Sequence, residues 1–312
     1  MNVSILIITR NRSADLAKTL ESLRGVQVPA ELKVELIVVD NGSTDGTWNL
    51  VQNFDAGTLP LRAVAEPRPG QTKGRNRGMA EAAGEVILFT DDDVRPPANW
   101  ISGMSDPIFS GKAEAVCGGV ELAPHLLRPW MTPTHRSWLA ATDWLERGKP
   151  TSMVGANMAF SRKVMEKVPA FDEELGPGAS GFGDDGLFSS QVIEAGFPIF
   201  DAMDVCIEHH PDPNRLDRAS WIKAAEGRGR SQAYRGHHWE HWGCRMGALK
   251  VMKAQWNLSK WRKQHAALMT PEGCSLEELD LVFQLEMVRS HLKESKRVRN
   301  YDKRGLVKLR SL

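Results

Sequence analysis

Three adjacent carboxylates, Asp91-Asp92-Asp93, are the sharpest chemical feature of the sequence, and they directly follow an apolar run, Glu85-Val86-Ile87-Leu88-Phe89-Thr90. Their mutual repulsion costs stability unless a cation offsets it, and hard divalent ions such as Mg²⁺ or Mn²⁺ take oxygen ligands of this kind. A solvated acidic turn is the plainer alternative. Asp40 ends a second apolar run ahead of Asn41-Gly42-Ser43-Thr44-Asp45-Gly46. It can accept hydrogen bonds from a ribose or a base, while the residues after it also read as an Asx-type turn with a helix N-cap. Gly70-Gln71-Thr72-Lys73-Gly74-Arg75-Asn76-Arg77-Gly78 sets cations and amides at a helix start, suited to a diphosphate or simply to a solvated face. The pair Asp184-Asp185 opens another helix. One of the two could act as a general base while its neighbour positions it, although acids in a first turn also simply complement the helix dipole. Glu208-His209-His210 ends a late strand, where an imidazole can complete a carboxylate-held Mn²⁺.

These residues need elements to bring them together. Val3–Thr9, Val34–Val39 and Glu85–Thr90 read as strands apolar almost throughout, as in a sheet covered on both faces, with a weaker strand at Leu61–Ala65. Helical patterns at Ser13–Leu23, Thr47–Phe54 and Thr72–Ala83 alternate with them, which predicts β-α-β units in an α/β fold with a largely parallel sheet. Ligands in such sheets sit beyond the carboxyl ends of the strands, and each of these ends is polar. Further extended runs at Ala115–Leu122, Met153–Phe160 and Ile199–Glu208, with helices near Pro133–Leu145 and Asp185–Ala195, complete the same sheet. An amphipathic run spans Ser275–Leu292.

Composition narrows the class. The 312 residues are 41% hydrophobic and 25% charged, enough for a large core without disulfides or a structural metal. Cys117, Cys206, Cys244 and Cys274 form no CxxC pair, which fits a reducing cytoplasm. No membrane span and no secretory leader is expected. A G-x-G-x-x-G after the first strand and a G-x-x-x-x-G-K-[ST] are both missing, arguing against nicotinamide cofactors and P-loop hydrolysis. The formal charge of +1 conceals a segregation: residues 1–212 hold 19 Lys+Arg against 29 Asp+Glu, and residues 213–312 hold 21 against 10.

Taken in order, the elements resemble the inverting family-2 glycosyltransferases of the GT-A fold over residues 1–235. The resemblance rests on Thr9-Arg10-Asn11-Arg12 after the first strand, the segment through Asp40, Gly74-Arg75-Asn76-Arg77-Gly78, and Asp91-Asp92-Asp93 as the D-x-D element. It continues through Gly155-Ala156-Asn157, Phe171-Asp172-Glu173-Glu174-Leu175, His209 and Gly229-Arg230-Ser231. Asp184 stands where the family usually has Glu.

The resemblance implies a single mixed, mostly parallel sheet between helices, with a catalytic domain at 1–212 and a helical extension at 213–312. The catalytic domain divides into a nucleotide-sugar half, 1–95, and an acceptor half, 96–212. It further implies metal-assisted transfer, with inversion, of a hexosyl group from a nucleotide-diphosphate sugar to an acceptor hydroxyl, in polysaccharide or glycolipid synthesis. The donor would be held by Thr9, Asn11, Arg12, Asp40, Lys73, Arg75, Asn76, Asp91 and Asp92. Asp91, Asp93 and His209 would bind Mn²⁺ or Mg²⁺, Gly155 and Asn157 would meet the acceptor, and Asp185 or Asp184 would be the base. A sugar-phosphate nucleotidyltransferase is the rival enzyme class, though Thr9-Arg10-Asn11-Arg12 offers no Gly-rich phosphate loop, and a non-catalytic nucleotide-sugar-binding protein is the third reading.

The extension, with Lys250, Lys253, Lys260, Arg262 and Lys263 among Trp221, Trp239, Trp242, Trp256 and Trp261, allows two readings. It is either a helical cap whose tryptophans pack inward or a peripheral contact with the inner face of a membrane that carries a lipid-linked acceptor. Nucleic acid is not expected.

Overall fold

The computed structural model describes residues 2–243 and 247–309, so Cys244 lies outside the described residues. The apolar runs become eight strands: β1 Asn2–Thr9, β2 Lys33–Asp40, β3 Leu61–Ala65, β4 Val86–Thr90, β5 Val94–Arg95, β6 Ala115–Leu122, β7 Asn157–Ser161 and β8 Ile199–His209. The helices are α1 Ser13–Leu23, α2 Thr47–Asn53, α3 Gln71–Glu81, α4 Trp100–Phe109, α5 Pro133–Trp138, α6 Arg162–Lys167, α7 Asp184–Glu194, α8 Arg218–His238, α9 Gly247–Gln264 and α10 Leu276–Glu294. The described residues fall into two compact units: Met1–Glu173 with Asp185–Pro211, and Glu174–Asp184 with Asp212–Leu312.

The first unit holds one sheet in the order β3-β2-β1-β4-β7-β6-β8-β5. β1 pairs in parallel with β2 and β4, β2 with β3, and β6 with β8, whereas β7 runs antiparallel to β4 and β6, and β5 to β8. The sheet is therefore mixed, with parallel pairings in the majority. Every residue of β4 is buried, as a central strand covered on both faces requires, while the edge strand β3 buries little but Val64. Register sets Thr9 opposite Asp40 and Ile7 opposite Thr90, so the polar segments after β1, β2 and β4 leave the sheet at one edge.

Above β1 and β2 lies α3, and its glycines are what permit the approach. A Cβ on Gly74 would sit 2.7 Å from Cγ2 of Ile8, and one on Gly78 3.3 Å from side-chain atoms of Leu6 and Val39. The helix expected over Pro133–Leu145 ends at Trp138, because Ala140 turns to a φ of 72° and breaks the repeat. That early stop carries the Leu139 carbonyl to the active-site side described below. β7 starts at Asn157, later than the expected Met153. The pattern around Pro107 hid α4, which tolerates the proline and buries Trp100, Ile101 and Met104.

In the second unit, α8 packs on α10 so closely that a Cβ on Gly229 would fall 2.7 Å from the Phe283 carbonyl oxygen. Trp221 and Trp239 are core residues, their indole N–H groups donating to the carbonyls of Leu216 and Gly305 at 3.1 and 2.9 Å. The segment 174–184 joins this unit through Glu174, whose carboxylate accepts from Arg297 at 2.5 Å, Asn300 at 2.8 Å and Lys308 at 2.9 Å. Cys117, Cys206 and Cys274 are free thiols, and burial pushes Cys117 up to about 12. No helix among the described residues is long and apolar enough to cross a membrane.

Candidate active site

The short antiparallel pairing of β5 with β8 assembles the centre of the site. Val94 lies opposite His209 and the His210 N–H donates to the Asp93 carbonyl at 2.7 Å, so the end of β8 is fixed beside the carboxylates that follow β4. Asp91, Asp93 and His209 each offer a ligand atom, all within 4.8 Å of one another. His209 Nδ1 is 2.8 Å from the Leu139 carbonyl oxygen, to which it can only donate, and Nε2 faces Asp93 Oδ1 at 3.1 Å. Protonated, Nε2 pairs with Asp93; deprotonated, its lone pair can join the carboxylates on a cation. Two carboxylates and an imidazole oriented by a backbone carbonyl are also a donor set suited to Mn²⁺, so the residues present fit a divalent ion. His210, by contrast, is paired with Glu208 at 2.6 Å.

Asp92, between the two acidic ligand candidates, faces elsewhere. Its Oδ2 accepts from the Thr9 hydroxyl at 2.7 Å, its Oδ1 lies 3.0 Å from Arg12 Nε, and its carbonyl accepts from Thr19 Oγ1 at 2.7 Å. Arg12 also reaches Asp93 Oδ2 at 2.7 Å, so one guanidinium spans two of the three acids. Burial pushes Asp92 up to about 7, against the pull of Arg12 and with the push of Asp93. Asp91 is raised by the same desolvation and then by Asp93, opposed by Arg75 and His209. Thr9, Arg12 and Asp92, expected at the donor, are thus engaged with one another. Thr19 was not anticipated; its signal was a hydroxyl within the Leu16, Leu20, Leu23 stripe of α1.

Neighbouring loops are locked in a similar way. Asp40 is buried and accepts from the Ser43 N–H at 3.2 Å and from the Ser43 hydroxyl. Asn11, at a φ of 53°, accepts from the Thr44 N–H at 2.7 Å and so ties the β1 loop to the β2 loop. Asn41, also unanticipated, donates to the carbonyls of Glu66 and Arg68 and accepts from the Gly70 N–H, fixing the entry to α3. On α3, Lys73 is partly exposed, whereas Arg75 is buried with its guanidinium 5.9 Å from the Phe89 ring and 5.4 Å from that of Phe171. Asn76, expected at the donor, exchanges two hydrogen bonds with the backbone of Phe171.

Of the expected acceptor residues, Gly155 lies beside Asp185 and Asn157 lies in the core. The Gly155 N–H donates to Asp185 Oδ2 at 3.2 Å, and a Cβ there would collide with the Arg75 guanidinium at 2.0 Å. Asn157 is completely buried, accepting from the Trp100 indole at 2.9 Å and donating to the carbonyls of Gly119 and Val205 at 2.8 and 2.9 Å. Its amide, expected at the acceptor, is engaged by these core partners. Asp185 keeps a partly exposed carboxylate in the first unit. Asp184 is buried in the second, where a Cβ on Gly176 would lie 2.9 Å from its carboxyl carbon.

Residues 4–169, just over half the chain, match glycosyl transferase family 2. The chain belongs to this family. The matched span runs from within β1 through β7 and stops before Asp185 and His209. Among curated family relatives, the glycosyltransferase AglE of Haloferax volcanii is 30% identical over 120 residues, 38% of this chain and 39% of AglE. The lipopolysaccharide core biosynthesis glycosyltransferase LpsC of Rhizobium meliloti is 29% identical over 166 residues, 53% of this chain and 56% of LpsC. The chain thus spans about two fifths to just over half the length of these relatives. Solved structures with this architecture include two nucleotide-sugar complexes. The mannosyltransferase PcManGT from Pyrobaculum calidifontis, in complex with GDP-Man and Mn²⁺, has a TM-score of 0.57 at 20% identity over 74% of this chain and 63% of that one. S. aureus TarS in complex with UDP-GlcNAc has a TM-score of 0.55 at 15% identity over 95% and 91%. The architecture of this family 2 chain is the GT-A fold.

Proposed function

We propose that this family 2 protein is an inverting, metal-assisted glycosyltransferase that moves a sugar from a nucleoside-diphosphate donor to an acceptor hydroxyl. The observation that carries the reading is the convergence of Asp91, Asp93 and His209 within 4.8 Å at the ligand edge of the sheet. The donor would lie across the strand ends, its base or ribose near Asp40 and its diphosphate toward Asp91, Asp93 and the cations Lys73 and Arg75. The nucleotide complexes of PcManGT and TarS support a donor of this class. Mn²⁺ or Mg²⁺, when bound by Asp91, Asp93 and His209, supplies positive charge that stabilises the leaving diphosphate. Arg75, held beside the Phe89 and Phe171 rings, keeps a fixed cation near that charge without rearrangement.

Asp185 takes the acceptor proton. Its Oδ2 is oriented by the Gly155 N–H and its Oδ1 by the N–H of Gly186 at 2.8 Å, leaving lone pairs for an incoming hydroxyl. As the acceptor oxygen bonds to the anomeric carbon, its proton passes to Asp185 and the carbon–oxygen bond to the diphosphate breaks, its electron pair leaving with the phosphate. A single displacement inverts the configuration. Asp184, buried against Gly176, is assigned a supporting place at the start of α7 instead. The acceptor we infer is lipid-linked and met by a cytoplasmic protein at the inner membrane face, a reading the name of LpsC supports. Replacing Asp185→Asn should lower transfer about 10³-fold while the sugar nucleotide still raises thermal stability; near-normal turnover would remove Asp185 as base. Transfer undiminished after exhaustive chelation would remove the metal.

A further inference from the structure

Of the two tryptophans of α9, Trp261 is half-buried and Trp256 is exposed. Leu249, Met252 and Trp256 are 58, 68 and 62% exposed, whereas Leu258 on the opposite side of the helix is buried. At 100° per residue, these three share an arc of about 100° with Lys253, Lys260 and Lys263. One helix therefore carries two apolar rows, an inner one used by its own unit and an outer one with no partner among the described residues. Trp256 and Lys260 are arranged as a pair on this face, with the ammonium 5.1 Å from the ring centroid. No Asp or Glu occurs between Glu240 and Glu272, and Glu278 of α10 meets α9 at Arg262, on the side away from the exposed row.

We propose that this outer face of α9 docks on an anionic phospholipid bilayer. The chemistry selects that occupant. A protein groove that accepts Leu, Met and Trp would have to bury the interleaved ammonium groups, which is costly without paired carboxylates. A lipid interface removes the conflict, because lysine stems lie along the apolar boundary while their ammonium groups reach phosphates, and tryptophan settles at headgroup depth. The face thus gives the lipid-linked acceptor reading a physical place to meet its membrane. Vesicle binding needs no sugar transfer, so either can fail without the other.

The test is co-sedimentation of the full chain with sucrose-loaded vesicles of phosphatidylcholine alone or mixed with phosphatidylglycerol, at low and high salt. Binding is expected to the mixed vesicles at low salt and to weaken as salt rises. Each surface cation contributes about fivefold to partitioning, so the triple change Lys253→Gln, Lys260→Gln, Lys263→Gln should lower it about 100-fold. Trp256→Ser should lower it by at least tenfold, roughly the share of one buried aromatic ring. All four side chains are exposed, so both variants should keep the parent's circular dichroism and thermal midpoint. No pelleting with mixed vesicles at low salt, or equal pelleting of parent and variants, overturns the proposal. So does a lipid-free dimer on size exclusion that Trp256→Ser dissolves, since a second copy would then own the face.

Discussion

Asp92 has the same side chain as Asp91 and Asp93 but different surroundings, and surroundings decide its work. Thr9, Arg12 and Thr19 hold it from three sides, making it the anchor that presents its neighbours. The triplet and the strand before it were legible in the sequence as a candidate cation site with Asp91 and Asp93 as ligands; that Asp92 is held by Thr19 was not, because Thr19 lies 73 residues away. His209 could be anticipated as a strand-end imidazole, yet its preference over His210 follows from the β5 pairing alone. Asn157 gave no usable signal, since its partners come from residues 100, 119 and 205. Asn157→Ala would strand an indole donor and two carbonyls in the core, and should cost about 3–5 kcal/mol in urea denaturation. A loss below about 1 kcal/mol would contradict that core role.

Elements were easiest to read where one rule acted alone. Buried β-branched runs identified β1, β2 and β4, and polar strand ends located the site edge, because a parallel sheet leaves no other place for such residues. Legibility fell where rules compete. The glycines of α3 look like poor helix formers, but Gly74 and Gly78 are selected by the closeness of β1 and β2. Gly74→Ala therefore sets a propensity gain of about 1 kcal/mol against overpacking on the stiff, β-branched Ile8. We expect a net loss of about 1 kcal/mol or more in the urea midpoint; a more stable variant would contradict the packing account. In α9 the competition lies between two apolar rows, and sequence could not say which one the fold uses.

Across the whole molecule, segregated charge is more telling than the net +1. The acidic part contains the carboxylates of the site, and the basic part contains both the α9 face and the cations that hold Glu174. Burial alone would raise Glu174, but hydrogen bonds from Lys308 and Arg297 hold it down at about 2. A folded value below the unfolded one stabilises the second unit above pH of about 4.5, and that contribution is lost as pH falls toward about 2. Thermal midpoints between these limits should fall more steeply for the parent than for Glu174→Gln; parallel curves would contradict the assignment. The central claim, a metal-dependent sugar-nucleotide site built on Asp91, Asp93 and His209, is tested most directly by thermal shift with UDP-, GDP- and dTDP-sugars, with and without Mn²⁺. At ligand concentrations of about 100 Kd, one sugar nucleotide should stabilise the parent by about 2.7 kcal/mol when Mn²⁺ is present. That gain should vanish in Asp93→Ala and persist in Asp185→Asn. No shift with any donor, or one that ignores both Mn²⁺ and Asp93, would contradict it.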